Sequence, residues 1–157
     1  MTNQRSRIEL SESEQEKLLR SARILQVASI NPDGRPHLVP MWFDFDDEGK
    51  LIFTTYGRSQ KVRNLERDPR VTVLAEAGEA YNELRGVSID ASAEVVRYPQ
   101  VTARALAIIG AKYANRPRPE RLAELPAEAD LPPPAFKRVT VRIHPERARS
   151  WDHRKLG

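Results

Sequence analysis

Turn signals divide the first third of the chain into three short strand-like runs, and this alternation restricts the possible fold more than any other sequence feature. The letters NPDG at residues 31–34 separate a run at 24–30 from a run at 35–45. The letters DDEG at residues 46–49 then precede a third run at 51–55. Short turns of this kind return a strand beside its predecessor, so the sequence predicts an antiparallel three-strand meander.

Three later segments add further strands. Residues 87–95 and 136–144 alternate between apolar and polar side chains, and residues 71–75 (VTVLA) are rich in β-branched residues. A period of two is typical of a strand with one buried face. The chain therefore contains six predicted strands.

Helix signals occur at three places. Ser11 and Glu14 have the spacing of a capping box. Ser59 precedes a short apolar pattern that ends at Asp68, because the residue before a proline avoids the helical conformation. Pro99 suits the first position of a longer helix through residue 114.

These elements predict a mainly β (α+β) domain, namely a six-stranded antiparallel barrel with flanking helices. Residues 1–157 form one domain in this prediction. Residues 8–23 are its helical N-terminal extension. The proline-rich segment 115–135 is a long connection, with one helical turn predicted near residues 121–125.

Composition excludes several classes of protein. The chain has no cysteine, which excludes disulfides, thiolate metal sites and a cysteine nucleophile. Its histidines, His37, His144 and His153, lack the spacing of metal ligands, so no metal site is expected. No apolar run is long enough to span a bilayer and no secretory signal is visible, so no membrane association and a cytoplasmic location are expected.

The charge balance favours anionic partners in general. The formal net charge is +4, and the sequence pI is about 9.6. Aromatic residues make up only 6% of the chain and do not alternate with basic ones. A nucleic-acid-binding module is thus the weakest alternative, and an ordinary arginine-rich surface explains most of these charges.

A candidate anion site lies between the third run and the short helix. Thr54 and Thr55 end the strand, and hydroxyl and cationic side chains follow at the helix start. These are Arg58, Ser59, Lys61 and Arg63. Backbone N–H groups and the positive end of the helix dipole favour a phosphate at such a position. The alternative is an exposed helix start without a ligand.

The run at residues 35–45 is unusual because Pro36 and Pro40 are an even number of positions apart, so their backbone nitrogens lie along the same side of the strand. Proline cannot donate a hydrogen bond to a neighbouring strand, so this side of the strand cannot pair fully. The simpler interpretation is a protected edge strand. The other is that the edge borders a ligand slot walled by Val39, Met41 and Trp42, with His37 as a structural hydrogen-bonding residue by default.

With these segments together, the chain resembles the split β-barrel family of pyridoxamine-phosphate-oxidase-like proteins. It is most similar to the flavin/deazaflavin oxidoreductase branch, which often uses coenzyme F420. The matching pieces are ILQVASINPDGRPHLVPMWF, LIFTT, RSQKVRNLERDPRV, YNELRGVSIDASAEVV and SWDHRKL. They extend over residues 22–156, and their order and spacing carry the match.

The resemblance implies a six-stranded FMN-binding split barrel, usually a homodimer with two cofactor sites at the subunit interface. It places residues 36–42 along the cofactor ring, and Thr54 and Thr55 near the ribityl chain. The cofactor-binding residues that it implies are Pro36, His37, Val39, Pro40, Trp42, Thr54, Thr55, Arg58, Ser59, Lys61, Arg63, Tyr81 and Trp151. Many family members have Arg-Lys in the phosphate segment, where this chain has Gln60 before Lys61, so Arg58 or Arg63 is the expected second cation.

Two of these residues have competing roles. Trp151 fits either the cofactor of the partner subunit or a plug at the end of the barrel. Tyr81 fits either a ligand contact or an anchor for its loop. No residue is required as a nucleophile, and no catalytic residue is assigned.

The resemblance implies an F420-dependent oxidoreductase that transfers a hydride to a small planar or conjugated acceptor. A proton, where one is needed, is expected from His37, Tyr81 or water. FMN is the alternative cofactor. A non-catalytic protein that binds flavin, F420 or haem on the same barrel is the alternative from a different functional class.

Overall fold

The computed structural model describes residues 3–157, which form one antiparallel sheet with flanking helices. The strands are β1 (Leu25–Ile30), β2 (Pro36–Met41), β3 (Asp44–Phe45), β4 (Leu51–Tyr56), β5 (Arg70–Ala77), β6 (Arg85–Val96) and β7 (Arg138–Asp152). The helices are α1 (Gln4–Arg7), α2 (Glu12–Ser21), α3 (Gln60–Arg67), α4 (Pro99–Tyr113) and α5 (Pro134–Lys137). Short 3-10 turns occur at Tyr81–Glu83, Glu128–Asp130 and His153–Leu156.

The sheet is curled so that its two edges meet. Its strand order is β2-β1-β5-β6-β7-β4-β3, and every neighbouring pair is antiparallel. The edge strands β2 and β3 are nevertheless consecutive in the chain, separated only by Trp42 and Phe43. Three Cα steps reach at most about 11 Å, so the first and last strands lie close together. The mainly β split-barrel prediction is confirmed.

The number of strands differs from the prediction of six. The single run predicted at residues 35–45 is divided into β2, which pairs with β1, and β3, which pairs with β4. Phe43 lies between them and is fully buried in the core. Burial of this ring explains the division, because the chain leaves one edge of the sheet here and joins the other.

The last strand begins later and ends much later than predicted. Phe136 lies in α5, and β7 continues from Arg138 to Asp152 along the whole of β6. Its register shifts near Pro145, which is opposite Ala91, whereas Arg147 is opposite Asp90. A bulge accommodates a residue that lacks a backbone donor.

Alternating side chains of the strands form the core. Val27, Phe53, Val73, Val87 and Val141 are buried together on the inner face of the sheet. Leu18 and Leu19 of α2 and Leu65 of α3 complete the same cluster. This inward-facing apolar stripe is the period-two pattern predicted for residues 87–95.

Helix α4 packs on the outer face of β4 and β7. The Thr140 hydroxyl donates a 3.1 Å hydrogen bond to Thr102, and both residues are buried. Ile52 and Ile108 line the same layer beside them. The outer face of β4 and β7 is therefore occupied by this helix.

The structure confirms the helix starts and ends that the sequence predicted at Ser11, Asp68 and Pro99. Ser11 and Glu14 form the full capping box, α3 ends at Arg67 with Asp68 as its C-cap, and α4 begins at Pro99. The helical turn of the proline-rich connection lies at Glu128–Asp130 rather than at residues 121–125. Within residues 3–157, no helix is both long and apolar enough to cross a membrane.

Candidate functional site

Three predicted residues meet where β4 passes into α3. The Lys61 ammonium donates a 2.9 Å hydrogen bond to Oγ1 of Thr55, and this Oγ1 lies 3.5 Å from Oγ of Ser59. Thr55 is buried, whereas Ser59 and Lys61 are half-buried. The sequence-predicted phosphate residues therefore form one polar cluster.

Ser59 occupies the N-cap position of α3 without acting as a side-chain cap. Its backbone is extended, as an N-cap requires, but its hydroxyl makes no capping hydrogen bond, and the first turn of the helix carries no acidic residue. The N–H groups of a first helical turn have no partner inside the helix. The hydroxyl and these N–H groups are thus available to an anion.

A second cation reaches this cluster from β7. Arg138 lies opposite Tyr56 in the register of β4 and β7. Its Nη1 donates to the backbone oxygen of Thr54 at 3.3 Å, and its guanidinium carbon lies 4.5 Å from the centre of the Tyr56 ring. Sequence analysis missed Arg138, because only the strand register places it beside Thr54.

The cluster has excess positive charge. Partial burial lowers the pKa of Lys61 below its ordinary value, and the nearby charge of Arg138 lowers it further. Neither cation forms a salt bridge with a carboxylate in the described part of the chain. A bound phosphate or carboxylate would offset both the burial and the repulsion. The arrangement is therefore suited to an anionic group.

A buried amide fixes the start of α3. Asn64 is 0% exposed, and its Nδ2 donates to Oγ of Ser29 at 3.1 Å and to Oδ1 of Asn31 at 2.9 Å. Gln60 donates to Oδ1 of Asn64 at 2.9 Å. The Gln60 that departs from the family pattern consequently helps to orient the helix.

Arg97, which follows β6, stabilises the turn before α3. Arg97 donates to the carbonyl oxygen of Gly57 at 3.0 Å and contacts Glu66 at 2.6 Å. The other two predicted cations, Arg58 and Arg63, are exposed beside this turn. Among residues 3–157, no group of His, Cys, Asp and Glu is arranged to hold a metal ion.

The strand β2 is an edge strand, as its prolines predicted. In the described sheet it pairs only with β1, with Pro36 opposite Ile30 and Pro40 opposite Gln26. His37 and Val39 are also in this strand, and both are half-buried. The Nδ1 atom of His37 is buried with no hydrogen-bond partner.

The predicted ring wall contains a stacked aromatic pair. Trp42 lies parallel to Tyr113 of α4, with 4.2 Å between ring centres and 9° between planes. Despite this stacking, Trp42 is 58% exposed. Trp42 thus presents an aromatic surface at the end of β2, beside the line where the sheet edges meet.

Tyr81 and Trp151 lie far along the sheet from the polar cluster at Thr55, Ser59 and Lys61. Trp151 follows Val139, the residue opposite Thr55, by twelve positions of β7 (139 to 151). That separation corresponds to roughly 40 Å of extended strand. Trp151 is half-buried against Gly86, outside the main core cluster, so it is not the predicted plug. Tyr81 is 73% exposed, with its ring 4.7 Å from that of His153.

Comparisons with known proteins agree with this architecture. The sequence model of the family described as pyridoxamine 5'-phosphate oxidase matches residues 11–152. A conserved hypothetical protein of Mycobacterium tuberculosis, Rv2991, is 41% identical, with 99% of this chain and 93% of that chain covered and a TM-score of 0.84.

Two further solved structures are similar. An F420 reductase is 26% identical, with 88% of this chain and 98% of that chain covered and a TM-score of 0.64. A FAD-binding protein of Mesorhizobium loti shares the fold at 21% identity, with 90% and 93% covered and a TM-score of 0.63. The family match extends over nearly all of the sheet and includes the polar cluster of Thr55, Ser59, Lys61 and Arg138, here called the anion cluster because its charge suits an anionic group. The chain belongs to the pyridoxamine 5'-phosphate oxidase family.

Proposed function

We propose that this protein is an oxidoreductase that binds F420 and passes a hydride to a small planar or conjugated acceptor, with FMN as the alternative cofactor. The observation that carries the proposal is the cluster of Ser59, Lys61 and Arg138. It combines an unused N-cap hydroxyl with two cations that lack a carboxylate partner. Both cofactors bear a phosphate, which this cluster fits.

The phosphate end of the cofactor is assigned to these residues. Lys61 supplies a compact charge, and the planar guanidinium of Arg138 supplies paired donors. Thr55 orients Lys61 through their 2.9 Å hydrogen bond. The exposed Arg58 and Arg63 extend the positive surface outward from the helix start.

The ring end is assigned to β2 and Trp42. The outward carbonyl groups of Pro36 and Pro40 have no strand beside them in the described sheet. Such groups suit the polar rim of a planar ring, and the unpartnered Nδ1 of His37 lies in the same strand. When bound, the cofactor supplies the hydride chemistry. The protein holds the acceptor over the ring, which favours direct transfer.

A second copy of this chain is proposed as the partner. Large apolar side chains, Leu38, Trp42 and Tyr56, are 64%, 58% and 61% exposed. Exposed apolar groups gathered along β2 and the end of β4 are typical of a subunit interface. In such a homodimer, Tyr81 and Trp151 of one subunit are expected at the cofactor of the other, since they lie too far away within one chain.

The preference for F420 rests on charge and on resemblance. F420 adds a tail of several carboxylates to its phosphate, and Arg58, Lys61 and Arg63 offer a basic surface near its start. The F420 reductase at 26% identity supports the same choice. FMN has no such tail and needs fewer cations.

Fluorescence titration of the protein with F420 and with FMN tests the proposal. Loss of one charge-assisted hydrogen bond removes about 1.5–3 kcal/mol, so Lys61→Ala and Arg138→Ala should each weaken binding about 10- to 100-fold. Lys17→Ala, an exposed lysine on α2, is the matched control and should bind normally. Equal affinities of all four proteins would refute the anion cluster, and tight FMN binding with negligible F420 binding would refute the choice of cofactor.

A non-catalytic carrier is the second candidate. The anion cluster contains hydroxyl and cationic groups, and none of them is required to act as a catalytic acid or base. A carrier would bind cofactor in the titration yet fail to oxidise the reduced cofactor with enones, quinones or tetrapyrroles. Turnover with any of these acceptors would favour the enzyme.

A further inference from the structure

A cavity of about 200 Å³ lies on the outer side of the sheet, between α4 and the proline-rich connection. Its floor is apolar and buried, and it consists of Ile52, Ala105 and Ile108. The cavity is also lined by Val101, Leu122 and Leu125, and the two leucines are 50% and 46% exposed, so they lie at its opening. Two large apolar side chains of the connection are therefore uncovered beside a hollow with an apolar floor.

Three ion pairs surround this cavity and balance its charge. They are Arg104 with Asp47 at 2.9 Å, Arg121 with Glu48 at 2.6 Å, and Arg142 with Asp46 at 2.8 Å. The hydrogen bonds from Arg104 lower the pKa of Asp47, so this carboxylate stays ionised at neutral pH. The rim of the cavity thus has no net charge, and a charged ligand would have to displace a partner that is already in place.

One hydrogen-bond donor in this rim is unused. The side chain of Arg104 is only 10% exposed, and its Nε and Nη2 donate to Asp47 and to the backbone oxygen of Pro119. A guanidinium also has two N–H groups on Nη1, and these donate to no group within residues 3–157. The Nη1 atom is accessible, because the one buried side-chain atom left unpartnered in that range is Nδ1 of His37. The cavity therefore combines an apolar floor with a free donor.

We propose that this cavity binds a small uncharged molecule that has one ring and a carbonyl oxygen. An apolar cavity of about 150 Å³ holds one benzene ring, so this larger cavity has room for a ring with a short substituent. The ring covers Leu122 and Leu125, and the carbonyl oxygen accepts a hydrogen bond from Nη1 of Arg104. An apolar lining with a few fixed polar groups is typical of small-molecule sites.

NMR titration with three probes of equal size tests the proposal. Acetophenone has the carbonyl oxygen, α-methylstyrene has a CH₂ group in its place, and benzoate has a carboxylate. Acetophenone should shift the methyl resonances of Val101, Leu122 and Leu125. Benzoate should bind at least about tenfold more weakly than acetophenone, because the rim offers a charged ligand no free partner.

A variant of Arg104 isolates the hydrogen bond. Arg104→Lys keeps a charge beside Asp47 but lacks the second guanidinium nitrogen. It should weaken acetophenone binding about tenfold, the loss expected for a hydrogen bond from a charged donor. Binding of α-methylstyrene should change by less than about twofold, because this probe makes no such bond. An equal loss with both neutral probes would overturn the role of Nη1, and tighter binding of benzoate than of acetophenone would overturn the uncharged ligand class.

Variants that fill or strip the cavity test its location. Val101→Phe should abolish acetophenone binding, whereas Ala107→Phe, on the exposed side of the same helix, should leave it unchanged. Leu122→Ser changes only the exposed connection and should weaken binding several-fold, so the test does not depend on the folding of Val101→Phe. Acetophenone that binds both of these variants as tightly as wild type would overturn the site.

The named residues of this cavity are separate from the anion cluster. Failure of F420 and FMN to bind would therefore leave the acetophenone titration unchanged, and the two proposals fail separately.

Discussion

The indole of Trp151 lies directly across Gly86 on the neighbouring strand. The two residues are paired in the register of β6 and β7, and a Cβ atom added to Gly86 would lie 2.4 Å from Cζ2 of Trp151. No real Cβ comes so close to a neighbouring ring. The glycine is thus required by the aromatic side chain that covers it, an arrangement known from cross-strand pairs in sheets.

Replacing this glycine should destabilise the fold. Gly86→Ala forces the indole or the strand to move, and overpacking of this kind costs about 1–3 kcal/mol in the free energy of unfolding. Gly110→Ala is the control, because Gly110 is inside α4 with no atom near its added Cβ. This second change should stabilise by about 0.5–1 kcal/mol. Urea denaturation measures both, and a Gly86→Ala protein as stable as Gly110→Ala would contradict the close contact.

Removal of the buried amide at Asn64 should loosen α3. Asn64→Ala deletes hydrogen bonds to Ser29, Asn31 and Gln60 and leaves buried polar atoms unpaired. The expected loss is on the order of 2–4 kcal/mol in the free energy of unfolding. Asn82→Ala, at an exposed position, should change it by less than about 0.5 kcal/mol.

The Asn64 variant should also weaken the binding of F420 or FMN, because Ser59 and Lys61 depend on the position of α3. Hydrogen exchange would show faster exchange confined to α3 and the turn between β1 and β2. Unchanged exchange in α3 would mean that the amide does not anchor this helix.

Stability at alkaline pH should depend on Lys112. Burial lowers its folded-state pKa to about 8, below its ordinary value, so the unfolded chain binds more protons between the two values. Protein stability relative to Lys112→Met should therefore rise as the pH increases from 7 to 10. All other ionisable groups are the same in both proteins, so their contributions cancel in the difference. A difference that is flat over this range would mean that the amine is not desolvated.

Stability at acid pH should depend on Asp68. Its hydrogen bonds to Arg70 lower its pKa to about 2, below the ordinary value of 3.8. Its contribution is therefore complete above pH 4 and is lost as the pH falls towards 2. The difference in Tm between wild type and Asp68→Asn should shrink over that range.

The predictions that succeeded rest on signals between residues close in sequence. Ser11 and Glu14 are three positions apart, and a capping box needs nothing else. Pro36 and Pro40 mark an edge strand, because a missing donor acts on the strand that contains it. Ser59 and Lys61 lie within one helical turn of each other, so their shared position at the start of α3 also follows from local spacing; their role in binding an anion stays a prediction.

The predictions that failed needed information about distant parts of the chain. The run at residues 35–45 became two strands, because the core takes up the ring of Phe43 and the sheet closes at that point. Nothing in the alternation of that run indicates where the chain leaves one edge for the other. Likewise, the continuation of β7 through Trp151 depends on pairing with β6.

The sequence by itself determined the strand periodicity, the turns, the helix starts and the residues that begin α3, because each depends on backbone preferences within a few positions. Only the tertiary structure decided that Arg138 joins Lys61, that Trp151 covers Gly86, and that Lys112 lies among Phe43 and Tyr113. These contacts are set by strand register and by packing across the sheet, and both arise from the burial of many side chains at once.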